Sequence, residues 1–592
     1  MVLLQNIFLL LSATLAAAWE PQPSAWWKEG VVYQVYPASF KESRTENAIG
    51  WGDIKGITNN LDHIQSLGAD IIWLSPFYES PMKDMGYDIS DYDSVSKLFG
   101  GSIEDIKTFI AEVHKRGMRC LFDLVINHTS DKHKWFKESA SSKTNPKRDW
   151  YIWKQPQYKN GSMPPPNNWQ GQNNGSAWKY DAHTGEYYLN IFNYYQPDLN
   201  WDNPDTRQAI FKDALEYWLD MGIDGFRMDV FAYYSKPAGL PDVPANDSDF
   251  HDASDLYTNG PHEHEYLRQM NREVLSRYDA FTVGEYAIET NMSMVQDYVG
   301  ASRHEVNTVF LMNMCDIGRK GFEYIGWNLT GWREAIDFTQ RVGSPTTGDG
   351  WNSIYLENHD LPRSITRFAN DKPEYRVQGG KALSVLLSTL SGTLFLYQGQ
   401  EIGMINVPDT WKLSDFRDRA GIDNYNNATQ HGFSPSEALA TLHLLGRDNA
   451  RTPFNWDASG NGFSTSNSTW IRRANLDINL ADQKHDPNSV YSFWVSMLRL
   501  RREQKSSFVY GEFEFLDWED GNFLVYQKTT NSEEVIVFIN LSTEAGKPPV
   551  SIPESYELLV YTHDEHSGAD FEPFEARVYK RAASGSTSRT KP

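Results

Sequence analysis

The stretch from Gly222 to Val230 reads GIDGFRMDV, and it decides what fold this chain builds. An apolar run bound for an interior ends in Arg227 and, two residues later, Asp229. In a β-strand residues i and i+2 share a face, so the two charges point the same way. Ionised guanidinium and carboxylate groups are almost never buried unless they are paired or put to use. The end of this strand is therefore either a local ion pair or one half of an active site. Its neighbours decide which.

Seven other runs share its form: VVYQVYPASF, GADIIWLSP, RCLFDLVINH, AFTVGE, VNTVFLMN, SIYLENHD and GTLFLYQGQE. Amphipathic stretches separate them. In DTRQAIFKDALEYWLDMG, for example, Ile210, Ala214, Leu215, Trp218 and Leu219 fall on one helical face. Strand then helix, eight times over, predicts an α/β fold closed as a (β/α)₈ TIM barrel. The interval His128 to Asn200 breaks the rhythm with Trp, Tyr, Asn, Pro and Gly, which predicts an inserted subdomain over the barrel mouth. From about Phe508 short alternating strands, FEFLDWEDGNFLVYQK and EVIVFINLS, predict an antiparallel β domain. The chain thus divides into a signal peptide (1–18), a barrel in two parts (19–128 and 201–505), an inserted subdomain (129–200) and a C-terminal β domain with a polar tail (506–592).

A net charge of −23 over 592 residues, with no basic block, excludes nucleic acid and anionic membrane as partners. The opening MVLLQNIFLLLSATLAAAWEPQP has an apolar run from Ile7 to Leu15, then Ala16 and Ala18 set for cleavage before Trp19. This predicts a secretory signal and an extracellular location. No later stretch resembles a membrane span. Cys120 and Cys315 are expected to be free and buried. Sequons at Asn160, Asn174, Asn246, Asn291, Asn328, Asn427, Asn467 and Asn540 predict a glycoprotein. Asn127 also fits that pattern but falls inside the candidate site.

Several strand-like runs end in polar groups. The third ends in Asp123, Asn127 and His128, the fourth in Arg227 and Asp229, the fifth in Glu285, and the seventh in His359 and Asp360. In a barrel these ends converge on one face, where active sites are found. Asp229, Glu285 and Asp360 would meet there with two histidines and Arg227. A hard cation would sit badly against Arg227. Retaining glycoside hydrolysis asks instead for a nucleophilic carboxylate and a carboxylic acid about 5–5.5 Å apart. A buried ion-pair network is the plain alternative, and four such strand ends together weigh against it.

DLVINH, GFRMD, GE and ENHD, with QPDLN at Gln196 to Asn200, resemble the segments of the α-amylase superfamily (glycoside hydrolase family 13), in the α-glucosidase, oligo-1,6-glucosidase and maltase branch. The resemblance runs from about Trp26 to the end of the β domain. It implies that Asp229 is the nucleophile, Glu285 a general acid/base with a raised pKa, and Asp360 the group that holds the sugar's 2- and 3-hydroxyls. Arg227 would keep Asp229 ionised, and His128 and His359 would bind the glucose. In SPMKDMGYDISDY, Asp84 would take the non-reducing-end hydroxyls and Tyr87 would stack under the ring, with Arg451 of RDNARTPFNWD as partner for the same hydroxyls. A pocket closed at that end implies exo-action on small α-glucoside sugars. Val230, next to the nucleophile, accompanies α-1,6 activity in relatives. The rivals are a glucosyl transferase or isomerase of the sucrose isomerase or trehalose synthase type, a non-catalytic transporter-like relative, and an endo-amylase.

The chain departs from the family pattern twice. KESRTENAIGWGDIKG keeps Gly52 and Asp53 but has lost the ligands of the usual calcium loop, so neither a structural calcium nor any other cofactor is expected. Leu361 stands where relatives carry Gln. A monomer is expected.

Overall fold

The computed structural model describes residues 22–583, apart from 159–160, 173–174, 246–249, 287–288, 321–322, 553 and 564–567. The expected signal peptide and the sequons at Asn160, Asn174 and Asn246 lie outside the described residues.

Eight strands form one parallel sheet: β1 (Val31–Val35), β2 (Ile71–Leu74), β3 (Arg119–Leu124), β4 (Gly225–Met228), β5 (Phe281–Glu285), β6 (Thr308–Phe310), β7 (Ser353–Ile354) and β8 (Thr393–Tyr397). They pair in the order β6-β5-β4-β3-β2-β1-β8-β7. Side chains bridge the seam between β6 and β7. Ser353 Oγ donates to Val309 O at 2.5 Å and Tyr355 Oη to Leu311 O at 3.2 Å. The sheet thus rolls into the expected barrel, and its strands are buried on both faces, which is why they read as continuous apolar runs.

Two glycines bracket the turn into β4. The helical run from Pro204 to Met221 contains one widened turn, Phe211–Glu216, and all five residues expected on its inner face are buried. Gly222, at φ 104°, ends it. Gly225 sits at φ 144°, and a Cβ there would lie 1.9 Å from Phe281 O. Only glycine lets β4 close on β5 at that point.

The seventh strand is shorter than SIYLENHD suggests. Buried Glu357 accepts from Arg363 Nη1 at 3.0 Å and from the Ser364 amide at 2.8 Å. These bonds draw the chain out of the ladder, so His359 and Asp360 come from a loop and not from a strand end.

Within the inserted segment, Trp153–Lys154, Trp178–Asp181 and Glu186–Leu189 make a three-stranded sheet. Its own small core contains Trp169, Trp178, Leu189 and Ile191. Five antiparallel strands between Glu512 and Ala582 form the C-terminal sheet. It is tied to the barrel by Arg333, whose buried guanidinium donates to Asp520 O and Phe523 O at 2.5 Å each. Not anticipated was a helical hairpin after β8, Arg419–Gln430 and Pro435–Leu445, which packs over the barrel mouth.

Cys120 and Cys315 are both free and buried. Asn540 corrects one sequon: it is fully buried and donates to Glu544 O at 2.8 Å and Glu572 O at 3.0 Å, so the folded chain offers it to no glycan. Among the described residues no helix is long and apolar enough to cross a membrane.

Candidate active site

Strand register builds the centre of the site. Asp123 of β3 lies beside Arg227 of β4, and Arg227 lies beside Val283 of β5. Two residues further along, on the same faces, stand Asp229 and Glu285. Arg227 Nη1 reaches Asp123 Oδ1 at 2.8 Å and Asp229 Oδ1 at 2.6 Å, while Nη2 reaches Glu285 Oε2 at 2.7 Å. The charged strand end is thus at once an ion pair and part of a site. Val230 follows in a left-handed conformation, φ 36° and ψ 44°, and its amide donates to Glu285 Oε2 at 3.3 Å.

One guanidinium shared by three carboxylates cannot hold all of them ionised as it would one. Burial raises the Asp229 carboxyl well above the ordinary carboxylate range; Arg227 opposes this, and Glu285 and Asp123 add to it. Burial likewise lifts Asp123 to about 6 against the pull of Arg227. The expectation that Arg227 keeps Asp229 ionised is therefore corrected: Arg227 pulls in that direction, but burial and the neighbouring carboxylates outweigh it. Asp123 and Asp229 thus both hold their protons to higher pH than free carboxyls do.

Across the cavity the balance reverses. Burial would raise Asp360, yet His359, Arg447, Arg451 and Arg227 outweigh it and hold the carboxyl far below the ordinary range. Arg451 Nη2 lies 2.5 Å and Arg447 Nη1 3.2 Å from Asp360 Oδ1. Burial lowers His359 to about 3, so it is neutral at neutral pH. Its Nδ1 meets Gln34 Nε2 at 2.9 Å and its Nε2 meets Tyr87 Oη at 2.6 Å, with the two rings stacked at 5.3 Å.

The cavity of about 310 Å³ is lined by Asp84, Tyr87, His128, Asp229, Val230, Glu285 and Asp360 among others, so the structure brings these expected residues together. Arg227 and His359 are buried behind the wall. Arg451 is corrected: it does not line the cavity but sits behind Asp360, its Nε donating to His359 O at 2.9 Å. Of this pair the arginine that lines the cavity is Arg447, four residues earlier, which reaches toward Asp84 Oδ1 at 3.9 Å and grips Asp418 Oδ1 at 2.5 Å. Arg447 caps and Arg451 ends one four-residue helical turn, Asp448–Arg451, and sequence spacing gives no sign of which faces the sugar.

Gln196 was read only as part of a motif. Its amide donates to Asp84 Oδ2 at 2.9 Å and so orients that carboxylate. The hairpin residues Arg419, Asp423 and Asn424 complete the wall, and no sequence signal pointed to them. Asn127 is fully buried, donating to Asp198 Oδ1 at 3.2 Å.

The loop after β1 does not suit a cation, because it already contains one. Arg44 Nε pairs with Glu42 Oε1 at 2.8 Å and Asp53 Oδ2 at 3.5 Å, and Nη2 donates to Trp51 O at 2.8 Å. A calcium ion placed among these groups would face the guanidinium.

Comparison with known proteins agrees with this geometry. The model of the alpha-amylase catalytic domain matches residues 34–511. The chain is 43% identical to an alpha-glucosidase of Candida albicans over 94% of its length and 99% of the relative's. It is 42% identical to an oligo-1,6-glucosidase of Saccharomyces cerevisiae over 96% of its length and 99% of the relative's. The crystal structure of the trehalulose synthase MutB from Pseudomonas mesoacidophila superposes with a TM-score of 0.87 at 37% identity, covering 94% of this chain and all of that one (100%). The chain belongs to the α-amylase family of glycoside hydrolases, in its α-glucosidase and oligo-1,6-glucosidase branch.

Proposed function

We propose that the protein is a secreted, monomeric, exo-acting retaining α-glucosidase that releases terminal α-glucose from small sugars of the isomaltose, maltose and sucrose type. The observation that carries this reading is Asp229 and Glu285 held side by side on one guanidinium, in a pocket walled off by the Asp84, Arg447 and Asp360 network. Asp229 attacks the anomeric carbon while Glu285 gives its proton to the departing glycosidic oxygen. Water, deprotonated by Glu285, then releases glucose from the glucosyl–Asp229 ester. Asp360, kept ionised, accepts from the 2- and 3-hydroxyls as positive charge develops on the ring. Arg447 and Asp84 take the hydroxyls at the closed end, which leaves no room for a chain to continue there. No cation takes part, since Arg44 fills the loop where relatives would hold one.

The names of the Candida and Saccharomyces relatives support hydrolysis. The likeness to trehalulose synthase supports a second reading, in which the same intermediate passes glucose to a sugar. Incubation with maltose, isomaltose, sucrose and starch, beside an Asp229→Asn variant, separates the readings. Glucose from the small sugars, little from starch and none from the variant supports the α-glucosidase. New disaccharides as main products point to the transferase, and inactivity on every substrate defeats both.

A further inference from the structure

A second chamber opens off the catalytic pocket. Its volume is about 360 Å³, and it shares Met312, Asp360, Ala420, Asn424 and Arg447 with the pocket, so the two hollows adjoin across these side chains. The chamber lies under the helical hairpin and is walled by Leu361, Tyr425, Ala428, Ala438, Leu442 and Leu445. Asp316 and Arg319 at its edge are paired with each other at 3.2 Å. Asp360, Asp418 and Arg447 on its catalytic side are already paired, so a sugar hydroxyl passing beyond Asn424 and Thr441 would leave water and meet apolar walls, which costs binding. A hydrocarbon would gain, because its own surface and the walls both leave water.

The route into the chamber starts at the acid. Glu285 and Phe310 are register partners on β5 and β6, and Met312, two residues beyond Phe310, stands in the shared wall. A leaving group just protonated by Glu285 therefore has the chamber beside it. Leu361, which follows Asp360 directly, replaces the Gln of the family pattern and gives the entrance an apolar side chain.

We propose that this chamber is an aglycone site for alkyl chains, so that alkyl α-glucosides are substrates of the same catalytic centre. Its apolar wall is aliphatic apart from a single ring, Tyr425, and suits a flexible chain. The inference rests on the α-glucosidase reading.

Comparison of kcat/KM for octyl α-glucoside (below its micelle concentration), methyl α-glucoside and maltose tests it. Each buried methylene strengthens binding about fourfold, so octyl glucoside should exceed methyl glucoside by about tenfold or more even if the chain is only partly buried. Thr441→Phe fills the chamber from its half-buried rim. It should abolish that advantage and leave maltose within about twofold. Leu361→Gln should reduce the advantage several-fold. Equal rates on octyl and methyl glucoside, or variants that change maltose as much as octyl glucoside, overturn the proposal. Calorimetry with Glu285→Gln keeps the two readings apart. Tighter binding of octyl than methyl glucoside, from a protein that releases glucose from nothing, retains the chamber and sinks the glucosidase. Equal binding in a protein that hydrolyses maltose sinks the chamber alone.

Discussion

The backbone amide of Val230 points at Glu285 Oε2 from 3.3 Å, and Val230 holds φ 36° and ψ 44° to aim it there. A β-branched residue in that region is strained by about 1–2 kcal/mol. Strain of this kind, next to the nucleophile, persists because the surrounding structure over-determines it.

Val230→Gly relieves the strain, and greater freedom of the unfolded chain takes back part of the gain. Urea unfolding should show a net stabilisation of up to about 1 kcal/mol, with a lower kcat on isomaltose because the side chain beside the leaving sugar is gone. Val230→Thr keeps the branch and the strain. It should leave stability within about 0.5 kcal/mol and lower the isomaltose-to-maltose ratio of kcat/KM. An unchanged ratio would remove Val230 from linkage selection.

Arg447 and Arg451 both pair with Asp360 and Asp418, but only Arg447 also reaches toward Asp84. Truncating a charged donor in a binding network costs up to about 3 kcal/mol, or roughly 100-fold, less where the side chain is partly exposed, as Arg447 is at 25%. Arg447→Ala should therefore lower kcat/KM on maltose by up to about 100-fold and admit slow cleavage within longer dextrins, as read from the chain lengths released. If Arg447→Ala binds and cleaves maltose normally, the closed-end assignment is wrong.

The pH profile should reflect the crowded acids. Asp229 is raised well above the ordinary carboxylate range and Asp123 to about 6. Below its raised value the nucleophile is protonated and idle, so activity appears as pH climbs through it. The acid limb of kcat/KM should lie above the ordinary carboxylate range. Asp123→Asn removes one carboxylate from Arg227 and leaves more of the guanidinium for Asp229, which should move that limb to lower pH. A limb within the ordinary carboxylate range in both proteins would contradict the raised Asp229 value.

Arg44 ties Glu42 and Asp53 together where a cation might otherwise bind. Chelator should leave the melting temperature and activity unchanged. Arg44→Ala leaves Glu42, whose side chain is buried, without its cation, and should cost about 2 kcal/mol, discounted because Arg44 itself is 25% exposed. A melting temperature that falls with chelator in the unaltered protein would show a bound metal.

Much of the site was legible because strand period fixes which side chains share a face. Asp123, Arg227, Asp229 and Glu285 follow from alternation and parallel register alone, and their runs also carried the family resemblance. His359 and Asp360 were found by motif although the strand ends at Ile354, since only the buried Glu357–Arg363 pair reveals where the chain leaves the ladder. Asn540 shows the converse: a sequon is local, while the burial that hides it comes from chain segments far along the sequence.

By itself, then, the sequence determined the eightfold strand–helix repeat, the inserted and C-terminal β segments and the three acids. Each of these rests on hydrophobic period or on spacing within one element. Only the tertiary structure decided that Arg447 and not Arg451 faces the cavity, that Gln196 orients Asp84, that one guanidinium serves three carboxylates, and that a hairpin after β8 roofs a second chamber. Those facts depend on contacts between residues as far apart as Asp84 and Arg447, and on how burial divides one positive charge among several negative ones.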